Sequence, residues 1–231
     1  MSNNTRTQRH ESPKKKTVKN KKKRSTGSII LKITLGLVFV GCLLFLSGVA
    51  LFWSYAKDAP KLEDAKLESP NSSKFFAANG DLFQEVGAEK RETIEATEIP
   101  RLLEDAIISV EDRRFYEHVG VDPIRIVGSV ISNVSTGGMQ GGSTLTQQLI
   151  KLSFFSTDAS DQTLERKAQE AWMAVQLEKE KSKQEILTYY INKVYMSNGL
   201  YGMRTASKAF YGLSLEELNL PQTALIAGLP N

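Results

Sequence analysis

From Ile33 to Tyr55 the chain runs without one charged side chain, and Leu, Val, Phe, Gly and Ile dominate. As a helix, such a run covers a hydrocarbon core of roughly 30 Å. Lys32 stands at its start, and Trp53 and Tyr55 stand at its far end, where aromatic rings favour the membrane interface. Residues 1–56 hold eleven Lys and Arg against one acid, Glu11, and the basic cluster Lys14 to Arg24 lies wholly before the run. The positive-inside rule therefore places residues 1–32 in the cytoplasm and the chain after about residue 56 outside. A cleaved signal peptide is the competing reading. The run is too long for a normal signal core, however, and no small-x-small cleavage site follows it. The expectation is an uncleaved anchor over residues 29–56.

Charge divides the chain at the same place. Residues 57–231 carry 19 basic and 25 acidic side chains, against the strongly basic tail. A basic tail alone suits nucleic acid, but one beside an apolar run suits a membrane, so no nucleic-acid partner is expected. The single cysteine, Cys42, lies inside the run. The exported part thus has neither a disulfide framework nor a cysteine-based metal site.

Residues 1–28 are polar and aperiodic and read as disordered. Residues 57–74, with Pro60 and Pro70, read as a stalk. Residues 74–95 read as a short extended pair turning at Asn79-Gly80-Asp81. Beyond it the pattern is helical. One helix is expected from about Ile99 to Glu117, with Leu102, Leu103, Ile107 and Val110 on its core face. A second is expected from Pro123 to Val134, closed by Gly137-Gly138. A third follows Gly141-Gly142-Ser143 with Leu145, Leu149 and Leu152 inward, and a fourth spans Thr163 to Lys181. Capping boxes at Ser182-Lys183-Gln184-Glu185 and Ser214-Leu215-Glu216-Glu217 open two more, ending near Met196 and Gly228. The exported domain is therefore expected to be mainly α-helical.

No serine–histidine or cysteine–histidine pair is available, since the histidines are only His10 and His118. A Ser-x-x-Lys match at Ser12 to Lys15 falls in the basic tail. Carboxylates, hydroxyls and bases remain. Glu111-Asp112-Arg113-Arg114-Phe115-Tyr116 places two acids and two arginines at a helix end, which also describes a solvated, salt-bridged face. Gly141-Gly142-Ser143-Thr144 before Leu145 to Lys151 suits an anion at a helix N-terminus, or an ordinary Ser/Thr cap. Arg166, Lys167 and Glu170 share one helical face, most simply as an ion pair. The aliphatic segment Ile124 to Ile131 reads by default as core.

Together these segments resemble a known family. Glu111 to His118, with Gly120 and Asp122, is similar to the first motif of the glycosyltransferase family 51 domain of class A penicillin-binding proteins. Gly142-Ser143-Thr144-Leu145-Thr146-Gln147-Gln148-Leu149 with Lys151 resembles the second motif, and Arg166-Lys167-Ala168-Gln169-Glu170 the third. Ile186 to Tyr195 resembles the fourth, and Gly199 to Gly212, with Tyr201-Gly202 and Ala206, the fifth. Five ordered motifs over residues 75–231 are far more specific than any one of them. The texture is closest to the 1A type of low-GC Gram-positive bacteria.

The resemblance implies a lysozyme-like, two-lobed glycosyltransferase domain behind one transmembrane helix of the bacterial plasma membrane. It implies an inverting transfer in which lipid II is polymerised into β-1,4-linked glycan and undecaprenyl pyrophosphate leaves. Glu111 matches the base that takes the acceptor's 4-hydroxyl proton. Glu170 matches a second carboxylate acting on the pyrophosphate side, directly or through a divalent cation (Mg or Mn). Lys151, Arg166 and Lys167 match bases near the leaving group. Ser143, Thr144, Gln147 and Gln148 match the substrate cleft wall, and Asp112 a hydrogen-bonding partner there. The Ile124 to Ile131 region matches a small lobe that dips into the bilayer. Implied partners are lipid II, the nascent strand, the membrane and other cell-wall synthesis proteins.

Three features depart from the pattern. Leu152 follows Lys151 where the family commonly has asparagine, and Gln162 stands where it often has a phosphate-contacting arginine. The family domain also continues past Ala227-Gly228-Leu229-Pro230-Asn231, and no transpeptidase motif set occurs outside the tail. The expectation is a C-terminally truncated domain. That keeps a non-catalytic, lipid II-binding or scaffolding remnant as the alternative function. A lysozyme-like hydrolase fits the motifs less well.

Overall fold

The structure is a computed structural model and describes residues 26–69, 73–86, 90–137, 141–156, 158, 161 and 163–230. Most of the basic tail, Gly138, Gln162 and Asn231 lie outside these residues. By compactness the chain forms two units, residues 1–48 and 49–231.

The first unit is the greater part of α1 (Thr26–Ala56). From Ile30 to Ala56 this helix is long and apolar enough to cross a membrane, with a mean hydropathy of 2.6. Hydroxyls within it bond to its own backbone. The Thr34 and Ser47 hydroxyls donate to the carbonyls of Ile30 (3.1 Å) and Leu43 (2.8 Å), which hides their polarity within the helix.

The second unit begins with the last turns of α1 and is mainly helical. Trp53 meets Trp172 edge-on with ring centroids 5.2 Å apart, and Gln169 Nε2 donates to the Tyr55 carbonyl at 3.4 Å. Then follow α2 (Asp64–Leu67), α3 (Arg101–Glu111), α4 (Pro123–Thr136), α5 (Leu145–Phe154) and α6 (Leu164–Glu180). The remainder is α7 (Lys183–Lys193), α8 (Met203–Tyr211) and α9 (Leu220–Gly228). Helix starts follow their local chemistry. Reciprocal capping boxes open α5 (Thr144 with Gln147), α7 (Ser182 with Glu185) and α9 (Asn219 with Gln222). Asp122 caps α4 with Pro123 in the first turn, and Gly137 ends it at φ +66°.

The core is built where α3 lies against α9 and α5 lies against α6 and α7. Leu103, Ile107, Leu149, Ile150, Leu177, Leu187 and Tyr190 have essentially no exposure. Each such side chain contributes about 1.5–3 kcal/mol of transfer free energy. Two short strand pairs are also formed. β1 (Ser73–Phe76) and β2 (Leu82–Val86) pair antiparallel, as the extended pair expected there, with the irregularity between Phe75 and Phe76. β3 (Lys90–Arg91) and β4 (Leu200–Tyr201) pair in parallel, which sequence pattern does not suggest in so short a run.

Several helix boundaries differ from expectation. α3 stops at Glu111 instead of continuing to Glu117, because Asp112 leaves helical geometry (φ −159°, ψ 78°) to bond other elements with its side chain. Leu102 and Val110, expected inward, are exposed. The box at Ser214 closes only a short 3₁₀ turn, Leu215–Glu217, and α9 starts separately behind Asn219. α7 ends at Lys193, and α8 forms where the sequence pattern marks no helix. In segment 57–74, Leu67 of α2 is fully buried, and Ala59 and Leu62 pack on the core. The largest correction concerns α4. Ile124, Ile126, Val127, Val130, Ile131 and Val134 are all exposed, and among the described residues of α4 only Ser129 is buried, so the aliphatic run is not core.

Candidate active site

The cleft is assembled from the end of α3, the first turn of α4, the loop before α5, α5 itself and α6. Glu111 is the last residue of α3 and is half-buried. Its Oε2 accepts a hydrogen bond from Gln148 Nε2 at 2.8 Å. Gln148 Oε1 in turn accepts from the Tyr190 hydroxyl at 3.4 Å. Burial first, and the Glu111 carboxylate second, push the Tyr190 phenol far above its ordinary pKa, so it stays a donor. This fixes the amide orientation: the carbonyl of Gln148 faces the phenol and its NH₂ faces the carboxylate.

Asp112 does different work. It is fully buried, and its Oδ2 accepts from the Leu145 backbone N–H at 3.0 Å and faces His118 Nε2 at 2.9 Å. One carboxylate thereby ties the end of α3 to the first residue of α5, where the helix dipole favours negative charge. Thr144 adds a second tie, its hydroxyl donating to the Gly120 carbonyl at 2.6 Å. Gly120 has φ +92°, and a Cβ there would lie 2.6 Å from the main chain of Ala174 in α6. Only glycine satisfies both demands.

On α6, Glu170 is fully buried between two cations. Arg166 Nε reaches its Oε1 at 2.9 Å, and Lys167 Nζ reaches its Oε2 at 2.6 Å. The i,i+4 and i,i+3 spacing read from the sequence is thus an ion-paired cluster in which Glu170 and Arg166 are buried and Lys167 is partly exposed.

A cleft of about 520 Å³ brings together Glu111, Ser143, Gln147, Gln148, Lys151 and Lys167. All six are candidates on sequence grounds. Burial first, and then the neighbouring Lys167, hold the Lys151 ammonium below the ordinary lysine pKa. Asp112, Thr144, Arg166 and Glu170 are not among the lining residues; they are buried behind them. The same cleft is lined by Val110, Arg125, Gly141 and Pro230, and sequence reasoning does not single out Arg125 or Pro230. Arg125 has a legible signal all the same. It is the one charge on α4, and it stands in the first turn, where the helix dipole disfavours a cation.

The expectation of a divalent cation beside Glu170 meets a different arrangement. Among the described residues no three His, Cys, Asp or Glu side chains gather to hold a metal. Both Glu170 oxygens are already engaged by cationic side chains, so a metal there would have to displace Lys167 or Arg166. The residues do not fit a protein-built metal site.

A sequence model of the transglycosylase family matches residues 79–231, the stretch that builds this cleft. The chain belongs to the transglycosylase family. Within the family, penicillin-binding protein 1A of Streptococcus oralis is 55% identical over 194 residues, which cover 84% of this chain and 30% of that one. Penicillin-binding protein 1A of Streptococcus pneumoniae is 54% identical over 183 residues, 79% of this chain and 26% of its own. Penicillin-binding protein 1A/1B of Bacillus subtilis is 42% identical over 214 residues, 92% and 23% respectively. The chain therefore spans less than a third of the length of these relatives.

Proposed function

We propose that this chain is a peptidoglycan glycosyltransferase that polymerises lipid II at the outer face of a bacterial plasma membrane. The observation that carries the reading is a single cleft holding an oriented carboxylate, Glu111, together with the ammonium groups of Lys151 and Lys167. A glycosyl transfer from a diphosphate donor needs those two functions in one place. A base must take a proton from the incoming hydroxyl, and positive charge must meet the departing phosphate.

In this reading the Glu111 carboxylate removes the 4-hydroxyl proton of the acceptor. The freed oxygen forms a bond to C1 of the donor sugar as the bond from C1 to the pyrophosphate oxygen breaks. The electron pair leaves with undecaprenyl pyrophosphate, and the configuration at C1 inverts. Lys151 and Lys167 stabilise the growing phosphate charge. Glu170 acts through its neighbours, holding Lys167 and Arg166 so that their charge is fixed before the reaction begins.

The helix Ile30–Ala56 and the basic tail before it support an N-terminus inside and a catalytic unit outside. The exposed aliphatic face of α4 suits contact with the bilayer that holds the substrate's lipid tail. The nascent strand and other cell-wall synthesis proteins are the partners this placement implies.

The decisive experiment is polymerisation of labelled lipid II by the purified, detergent-solubilised chain, with Glu111→Gln beside it. Polymer from the first and none from the second is the expected result. No polymer from either, with a cooperative thermal transition intact, would instead favour a non-catalytic, lipid II-binding role.

A further inference from the structure

Arg125 is the residue whose contacts most exceed its apparent role. It sits in the first turn of α4, where its own N–H donates to the capping Asp122 Oδ1 at 3.2 Å. Its guanidinium then leaves α4 altogether. Nη1 donates to the main-chain carbonyl of Glu111, and the same nitrogen stands 3.8 Å from Asp112 Oδ1. Nε points to the Gly141 carbonyl at 3.4 Å. One planar group thus joins the end of α3, the start of α4 and the loop that leads into α5.

These partners are not incidental. The last carbonyls of a helix have no partner within it, and a cation is the favoured donor at that negative end. The carbonyl that Arg125 takes belongs to the residue whose side chain faces the cleft. The buried acid beside it, Asp112, has no hydrogen bond to its Oδ1 among the described residues, and the guanidinium is the charge described nearest that oxygen. Arg125, with Val110, lines both the cleft and a smaller pocket of about 320 Å³. Gln148 holds the Glu111 carboxylate from α5, and among the described residues no hydrogen bond from α5 reaches the Glu111 backbone.

We infer that Arg125 is a positioning residue for Glu111: its forked guanidinium locks the Glu111–Asp112 main chain to the Gly141 loop and so sets where the carboxylate meets its substrate. The inference rests on the glycosyltransferase reading for its kinetic consequences, and on geometry alone for its structural ones. Lysine would keep the charge but offers a point donor in place of a fork, so it should not reproduce the clamp.

The test uses the full chain with Arg125→Ala and Arg125→Lys, and Arg101→Ala as a control that removes an exposed arginine paired with Asp105 and Glu104 within α3. First, amide hydrogen exchange over residues 111–115 is measured without substrate. It should accelerate in Arg125→Ala, with α7 unchanged. Second, polymerisation kinetics should show kcat down about 100-fold with KM within about twofold, the pattern of a misplaced catalytic group. Lysine should recover only a small part of kcat, and added guanidinium ion below denaturing concentration should rescue Arg125→Ala more than Arg125→Lys. Unchanged exchange at 111–115 would overturn the inference. So would a rise in KM with kcat intact, which would make Arg125 a substrate contact, or a kcat loss that tracks global stability with no rescue. If the unaltered chain makes no polymer, the functional reading fails, and exchange still decides the clamp.

Discussion

Glu111 and Glu170 are both glutamates on helices that border one cleft, yet their surroundings are opposite. Glu170 is sealed from solvent, and each of its oxygens is bound by a cation one turn back along α6. Glu111 faces the cleft from the C-terminal end of α3, where the helix dipole opposes an acid, and its described side-chain partner is a neutral amide. A side chain placed against local stability, in an open cleft, is available for chemistry. A side chain saturated by partners holds those partners still. The difference teaches that burial and charge pairing, and not residue type, set two acids beside one cleft apart.

Exchanging each carboxylate for its amide gives the sharpest break. Glu111→Gln should cut the polymerisation rate by about 10³-fold, within the range for removing a general base, and leave the thermal transition in place. A comparable loss of stability would erase the contrast. Glu170→Gln should instead lower unfolding free energy by about 3 kcal/mol in a denaturant titration. Arg166 then stays buried without its counter-charge, and the figure takes the low end because Lys167 is partly exposed. Intact stability with a collapsed rate would make Glu170, and not only Glu111, a group that acts on the reacting atoms.

Smaller effects refine the picture. Gln148→Leu removes the donor to Glu111 and the acceptor for Tyr190, and should lower kcat by about tenfold with little change in KM. Lys151→Arg is the mildest change and is read in the pH profile. Burial and Lys167 lower the Lys151 pKa, so its ammonium loses its proton at a lower pH than an ordinary lysine. The alkaline fall in rate should therefore begin below the ordinary lysine range. Arginine does not titrate there, so the variant should move that limb to higher pH. An unmoved limb would show that Lys151 does not carry the charge the reaction needs.

Much of this arrangement is legible in residue types and spacing. The capping boxes at Thr144, Ser182 and Asn219 mark helix starts by local hydrogen bonds, which short sequences encode fully. The first two read directly as helix openings; the third is hidden because Ser214 offers a similar pattern five residues earlier. The cleft-lining set can be named from its motifs, but the sequence does not say which members face solvent. Asp112 and Glu111 are neighbours, and only the break in α3 sends one carboxylate inward and the other outward. Arg125 is invisible in the motifs because its partners are carbonyls, and a main-chain acceptor leaves no trace in residue identity. The exposed face of α4 is misread for another reason. Aliphatic periodicity reports that a face avoids water without saying whether protein or lipid covers it.

Gly120 bears on how this cleft can change over time. Its missing side chain is what lets the loop after α3 rest on the main chain of α6 at Ala174, while its carbonyl holds Thr144. Any larger residue there must push the loop and α6 apart, which would move Glu111 and Lys167 relative to each other in a single event. The lining side chains can be varied one at a time and tested individually. The spacing between the two walls cannot drift by small steps, because the smallest available step is a whole methyl group.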